Sequence, residues 1–420
     1  MRNGHAAVIG AGIVGVATAI NLLRAGWRVT LIDREGPAAG ASFGNAGVLA
    51  AASVVPVTTP GLIARIPAML TARDRALFVK WGRLPAHLPW LARFLSHADA
   101  PQARRAAAAL APLVADTLAD HQALAADTPA ARFVVPCPYD HLYPDRAAYD
   151  ADAFGWGLRR EHGFRWDVLE GPEARAAVPA AGPDVGCIVR LRDHGRITDP
   201  GAYVTALADH AQALGARLIR AEVSDFAAEG GILTALGLRG RDGAADALPC
   251  DAAFVTAGAW SGPLARRLGL RPPLDTERGY HLDLPGATGG PAGPAMVAAG
   301  KFVVTPMEGR IRLAGLVEIG GLKAPASAAP FAMLRRVARR AFPGLTWTAE
   351  QPWMGFRPTL ADSVPVIGAA PGLRGVWLGF GHQHVGLTAG PRTGRLLADL
   401  ASGRTPNIDL APYAPTRSSA

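Results

Sequence analysis

Ala6-Ala7-Val8-Ile9-Gly10-Ala11-Gly12-Ile13-Val14-Gly15 is the stretch from which the rest of the chain can be read. Ala6–Ile9 is a short apolar run with the composition of a buried strand, and three glycines follow at once in the pattern GxGxxG. From Val16 to Arg24 apolar residues recur at helical spacing, Gly26 supplies a helix stop, and Arg28 to Ile32 is a second apolar run ending in Asp33. Strand, glycine turn, helix, strand and acid in this order form a βαβ unit suited to a dinucleotide. Gly10 permits the tight turn, Gly12 lets the backbone approach a pyrophosphate, and Gly15 allows the helix to pack closely on the strand. The helix N-terminus offers free N–H groups and a positive dipole end to the phosphates. Asp33 stands 23 positions past Gly10, where a carboxylate accepts hydrogen bonds from a ribose diol and repels a 2′-phosphate, which disfavours NADP.

Composition agrees with a compact globular protein. Half of the 420 residues are hydrophobic and 18% are charged, which excludes a disordered or collagen-like chain. The length accommodates two domains or one elaborate α/β unit. No apolar run reaches the roughly 18 residues of a membrane span. The formal charge is +9, and only three of the 43 basic residues are lysine (Lys80, Lys301, Lys323). The arginines are scattered, with no basic block, so no nucleic-acid partner is expected. Cys137, Cys187 and Cys250 are far apart and form no CxxC, so neither a disulfide framework nor a metal site is expected, and a reducing compartment fits. The first strand starts too near Met1 for a signal peptide to precede it, and a cytoplasmic location is expected.

The βαβ unit alone does not separate NAD from FAD. The segment Ala41-Ser42-Phe43-Gly44-Asn45-Ala46-Gly47-Val48-Leu49 is rich in small residues and can bring backbone groups, a hydroxyl and an amide close to a flat ligand. The plainer reading is a glycine-rich loop with Asn45 in a turn.

The run from Val8 to Gly47 resembles the FAD-dependent D-amino-acid oxidase superfamily, in particular the bacterial D-amino-acid dehydrogenases, which carry a Ser/Thr-Phe-x-Asn-Ala-Gly segment after the second strand. The resemblance extends to about Gly403. It is sharp at the N-terminus and from Gly355 to Leu400 and diffuse between. It implies non-covalent FAD. It places Ile13, Val14, Arg34, Ser42, Asn45 and Gly47 along the cofactor, Val48 and Leu49 near the ring edge, and the Val223 backbone at the adenine. Gly258-Ala259-Trp260-Ser261 resembles a Gly-Ala-Trp-Ser run of the family, with Gly258 and Trp260 beside the dinucleotide and Ser261 able to cap the next helix.

Two further blocks resemble the family. Gly355-Phe356-Arg357-Pro358 matches a Gly-x-Arg-Pro motif whose arginine forks onto the substrate carboxylate, which implies that role for Arg357. Gly379-Phe380-Gly381-His382-Gln383-His384-Val385-Gly386-Leu387-Thr388 is expected beside the flavin's pyrimidine edge. There Gly381, His382, Gly386, Leu387 and Thr388 meet the cofactor, and the following helix points its positive end at it. His384 falls where relatives place a variable substrate contact. Tyr280 is read either as a pocket aromatic or as a core residue.

The expected fold is α/β: an FAD-binding Rossmann-like βαβ domain (1–60, 196–271 and 350–420) interleaved with an α+β substrate domain on a mixed or antiparallel sheet (61–195 and 272–349). Asp199 or Thr198 is expected to cap a helix over 201–214, and 103–126 to form an alanine-rich helix. A hairpin is expected across Met307-Glu308-Gly309. Residues 62–95 interleave apolar and basic side chains, which is read as helices packing on the substrate domain or as contact with the cytoplasmic face of a membrane. The implied reaction is oxidative deamination of a D-amino acid, by hydride transfer from Cα to flavin N5, with D-proline-like substrates as one option. Electrons pass to a quinone or another acceptor rather than to NAD. A glycine- or sarcosine-type amine oxidase and a flavin-carrying subunit of an electron-transfer complex are the alternatives. No catalytic base, nucleophile triad or metal cluster is assigned.

Overall fold

The computed structural model describes residues 4–417. One layer is a six-stranded sheet in the order Arg217–Arg220, Arg28–Asp33, His5–Ile9, Ala252–Val255, Val376–Phe380, Val366–Ala369. The first five strands are parallel and the last is antiparallel. Unbroken apolar strands such as Ala6–Ile9 suit this sheet because both its faces are covered. Ala6 and Val8 join a core with helices Ile13–Arg24, Pro200–Ala213 and Gly386–Ala401. Ala7 and Ile9 point the other way, into a core shared with helix Ser261–Arg267 and a small antiparallel sheet spanning Glu222 to Pro249. Helices Ile13–Arg24 and Gly386–Ala401 approach closely at Gly394, where a methyl group would stand 2.6 Å from Thr18 N.

The second layer is a mixed nine-stranded sheet. Its path runs Gln351–Leu360, Leu274–Pro285, Arg310–Ile319, Phe302–Met307, Ala295–Val297, Tyr139–Tyr143, Cys187–Leu191, Asp167–Glu170, with Leu77–Val79 added at the end of Arg310–Ile319. The expected hairpin is present as the antiparallel pair Phe302–Met307 and Arg310–Ile319. Helix Ala328–Ala341 covers one face, burying Met333, Leu334 and Val337 against Leu282, Leu284 and Leu313. Arg312 and Trp353 face the opposite way, toward the loop that follows Asp33.

Several expectations change in detail. Strand Gln351–Leu360 pairs along its whole length with Leu274–Pro285, so it belongs to the second sheet although it lies within 350–420. The alanine-rich segment forms two helices, Ala100–Val114 and Thr117–Ala125. The break between them lets Asp116 and Asp120 both reach Arg392. These helices lie in the segment 61–195, yet their apolar faces join the core of the first layer. Asp199, not Thr198, caps Pro200–Ala213, accepting from the Ala202 N–H at 3.0 Å. Ser261 caps nothing. A short 3₁₀ turn, Gly258–Trp260, leads into the helix, so Ser261 is already helical and its buried hydroxyl has no partner.

Candidate active site

The glycine turn is built as its spacing requires. Gly10 has φ +103° and donates its N–H to Ile32 O at 2.7 Å, bending the chain from strand to helix. A side chain at Gly15 would fall on the Gly10 carbonyl oxygen, so helix and strand meet only because position 15 has none. Val16 makes the first in-helix bond, to Gly12 O, which leaves the N–H groups of the turn before it without helical partners. One of them, from Ile13, donates to Ser42 Oγ at 2.9 Å. Asp33 is committed to the same turn: Oδ2 accepts from the Ala11 N–H and Oδ1 from those of Glu35 and Gly36. Arg34 lies over the Trp260 ring with Cζ 4.6 Å from its centroid, and both line the cavity that opens above the turn.

That cavity, of about 1920 Å³, runs from Gly10, Gly12, Ile13 and Val14 past Val223 and Gly258 to the second sheet. Ser42, Asn45, Gly47 and Val48 form one wall, and His382, Gly386, Leu387 and Thr388 another. Asn45 is on this wall, but its amide serves the loop. Nδ2–H donates to Ser42 O at 2.8 Å, and Oδ1 accepts from the Gly47 N–H at 2.9 Å. The plainer reading of Asn45 therefore holds for its side chain. Leu49 is not on the wall: it is fully buried in the core of the first layer, because alternation along the short strand Val48–Leu49 turns it away from Val48. Gly381 is also absent from the wall and acts as a turn packed against Leu360.

The C-terminal loop is held from behind. The Thr117 hydroxyl donates to Thr388 O at 2.8 Å. His121 is fully buried between Leu387 O, 2.9 Å from Nε2, and the Tyr203 hydroxyl, 2.8 Å from Nδ1. Since a carbonyl only accepts, Nε2 carries the proton, and burial lowers the pKa of His121 to about 4. His382 is buried with Nε2 3.0 Å from the Thr393 hydroxyl, and burial likewise lowers its pKa to about 4.

Arg357 faces the cavity from strand Gln351–Leu360. Its guanidinium donates to Leu316 O at 2.6 Å and Gly315 O at 3.2 Å. Among the described residues no carboxylate hydrogen-bonds to it. The Leu316 carbonyl is aimed by a register shift: Arg278 pairs with Glu318 but Tyr280 with Gly315, and Leu316 adopts φ +60°, a strained conformation for leucine. Burial disfavours the charge on Arg357 while the nearby Glu277 sustains it. His384 opens into the cavity with Nδ1 3.9 Å from Glu277 Oε2. Its pKa is pushed below the ordinary histidine range by burial in the cleft and by Arg357.

Tyr280 resolves toward its core reading. Its hydroxyl donates to Glu318 Oε2 at 2.6 Å and accepts from the Ser327 N–H at 3.1 Å, and its ring packs edge-on against Phe331 of helix Ala328–Ala341. Alternation along Leu274–Pro285 puts Tyr280, with Leu282 and Leu284, on the helix-covered face, opposite to Glu277 and Gly279.

Sequence reasoning missed three groups. Glu277 is 2% exposed, sits opposite Arg357 in register, and its Oε2 has no hydrogen-bond partner. Burial raises its carboxyl to about 7, opposed by the Arg357 charge and assisted by that of Asp275. Gly279 lies under the Arg357 guanidinium. Arg312, fully buried and paired with Asp283, donates to Phe43 O and Asn45 O, clamping the 41–49 loop to the second sheet. Charged residues standing within buried strands, Glu277, Asp283 and Arg312, were the available signal.

The glycine turn and the cavity beside it define a dinucleotide-binding site, and the comparisons make that dinucleotide FAD. Residues 5–400 match the family described as DAO, FAD dependent oxidoreductase. A D-amino-acid oxidase of Bradyrhizobium diazoefficiens is 39% identical over 98% of each chain. D-amino acid dehydrogenase 2 of Ralstonia nicotianae is 31% identical over 98% of this chain and 99% of its own. The crystal structure of glycine oxidase from Geobacillus kaustophilus superposes with a TM-score of 0.71, covering 99% of both chains at 22% identity. The chain belongs to the DAO family of FAD-dependent oxidoreductases. The structure fits the family's cofactor: the helix start carries unpaired N–H groups, a side chain at Gly12 would crowd Ser42 Oγ at 3.0 Å, and the cavity continues from this cradle to Arg357. Among the described residues no cluster suited to a metal ion exists, and no helix is long and apolar enough to cross a membrane.

Proposed function

We propose that this protein oxidises D-amino acids to imino acids, which hydrolyse to 2-oxo acids. The observation that carries this reading is Arg357: a half-buried guanidinium fixed by two backbone carbonyls, free of any carboxylate hydrogen-bond partner among the described residues, in the cavity that continues from the dinucleotide cradle. Such a group is suited to a substrate carboxylate, which it engages through parallel charged hydrogen bonds. The names of the two curated relatives support a D-amino acid as the substrate. FAD, when bound, supplies the hydride acceptor. Gly12, Ile13, Val14 and Ser42 hold its pyrophosphate, Val223, Arg34 and Trp260 its adenosine end, and Val48, Gly386, Leu387 and Thr388 its ring. Arg357 orients the substrate Cα and the apolar walls exclude water.

The test is anaerobic bleaching of the flavin band by a panel of D- and L-amino acids, glycine, sarcosine and both prolines. Bleaching by D-enantiomers alone is expected, and bleaching only by glycine and sarcosine would replace this reading with an amine oxidase. Repeating the positive case in air separates oxidase from dehydrogenase. A membrane-linked acceptor is favoured by one observation. Ile63, Trp81 and Leu88 are 60%, 65% and 52% exposed, on helices and turns that also line the cavity. Co-sedimentation with anionic vesicles, lost on Trp81→Ser with Leu88→Ser, tests it.

A further inference from the structure

Glu277 is the group in the cavity whose chemistry the carboxylate-binding role of Arg357 leaves unexplained. It is 2% exposed and Oε2 has no hydrogen-bond partner, so the fold leaves a buried acceptor unsatisfied. Buried polar atoms are almost always hydrogen-bonded in native structures, so one left without a partner in a cavity wall calls for an explanation. Its neighbours are accounted for from every side. On its own strand, Asp275 is held by His87 Nδ1 at 2.6 Å. Across the strand pair stand Arg357 and Thr359, and from the C-terminal loop His384 lies 3.9 Å away with its pKa lowered. Arg357 is therefore the cation that balances Glu277 when the site is free.

A substrate carboxylate changes that balance. Once it takes Arg357, the buried Glu277 faces a second anion and needs another cation. An α-amino acid carries one beside its carboxylate. Glu277 and Arg357 are directly opposed on antiparallel strands and line the same cavity, so the pair presents a negative and a positive group to one ligand.

Building on the D-amino-acid reading, we propose that Glu277 receives the α-ammonium group of the substrate and takes one proton from it, while Arg357 holds the carboxylate. One N–H bond breaks and one O–H bond forms. The ammonium becomes a free amine with its lone pair available beside Cα, the carboxylate becomes a neutral acid, and no oxidant is consumed. Glu277 thus selects ligands bearing both a carboxylate and an amine with at least one N–H over plain carboxylates.

The test uses the holoenzyme and ligands that cannot be oxidised. 2-Aminoisobutyrate has no Cα hydrogen, and isobutyrate is its counterpart without the amine. Both are titrated by perturbation of the flavin spectrum, in wild type and in Glu277→Gln. Wild type is expected to prefer the amine-bearing ligand by about tenfold or more at pH 8, with a smaller preference at pH 6, where Glu277 is protonated. Glu277→Gln is expected to lose the preference at both pH values, and Glu277→Asp to retain part of it. The same preference in wild type and Glu277→Gln, or one independent of pH in wild type, would overturn the proposal and mark Glu277 as only a counter-ion to Arg357. Bleaching of the wild type by D-amino acids is read separately, so a wrong substrate class is distinguished from a wrong role for Glu277.

Discussion

Gly279 lies directly beneath the guanidinium of Arg357: a methyl group at position 279 would stand 2.7 Å from Cζ and 2.8 Å from Nη2. The arginine is flat against a strand with no side chain at that point, and the carbonyls of Gly315 and Leu316 hold it there. Gly279→Ala is therefore expected to displace Arg357 without touching the dinucleotide cradle. Flavin content should be unchanged and kcat/KM should fall about tenfold or more, mostly through KM. Unaltered kinetics would show that the observed arginine pose is not the working one.

Removing the cation itself is more severe. Arg357→Ala should lower kcat/KM by on the order of 10²-fold, corresponding to about 3 kcal/mol for a buried charged hydrogen-bonded pair. Arg357→Lys should rescue little, since a lysine cannot make the paired bonds. Steady-state kinetics with flavin quantified in each preparation checks this, and normal turnover in Arg357→Ala would end the carboxylate assignment.

Gly15→Ala places a side chain on the Gly10 carbonyl oxygen, a backbone atom that cannot move aside. The first strand and helix must separate, and the expected result is protein without flavin or no soluble protein. Gly12→Val should give folded protein that does not retain flavin, because its nearest neighbour is the movable Ser42 hydroxyl. Absorbance of the purified proteins at the flavin and protein bands distinguishes the two.

Ser42→Ala deletes the acceptor of the Ile13 N–H. Loss of such a bond at a helix start costs about 1 kcal/mol. A fall in melting temperature of a few degrees is expected, together with weaker flavin retention. An unchanged melting temperature would show that water replaces the hydroxyl.

The raised pKa of Glu277, from an ordinary 4.5 to about 7, has a consequence for stability. The native state holds this proton more tightly than the unfolded chain does. Its stabilising contribution is complete below the ordinary value and is lost as pH rises through about 7. Glu277→Gln has no such loss. The melting temperature of the variant relative to wild type should therefore rise between pH 5 and pH 8, reflecting on the order of 2–3 kcal/mol. A difference constant across that range would show that Glu277 does not titrate there.

The βαβ unit, the cofactor class and Arg357 were legible in the chain because each rests on residues close in sequence. Gly10, Gly12 and Gly15 act on one another within a single turn, and Arg357 belongs to a four-residue motif. Asn45 shows the limit: the sequence placed it at the site, but only the fold shows its amide spent on Ser42 and Gly47. Leu49 was misplaced and Tyr280 left open between two readings because the face a strand residue takes depends on its pairing, not on its identity.

What the sequence determined by itself was thus the dinucleotide fold, since hydrophobic periodicity and glycine spacing act over short range, and it singled out Arg357 through a four-residue motif. Only the tertiary structure decided which residues surround that arginine. Glu277 and Gly279 come from the neighbouring strand, which pairs with that of Arg357 without a break, and Leu316 comes from the strand beyond, where the register shift opposite Arg278 and Tyr280 turns its carbonyl to the guanidinium. A shift of register reverses every later side chain in a strand, and it is set by long-range pairing rather than by the local run of residues.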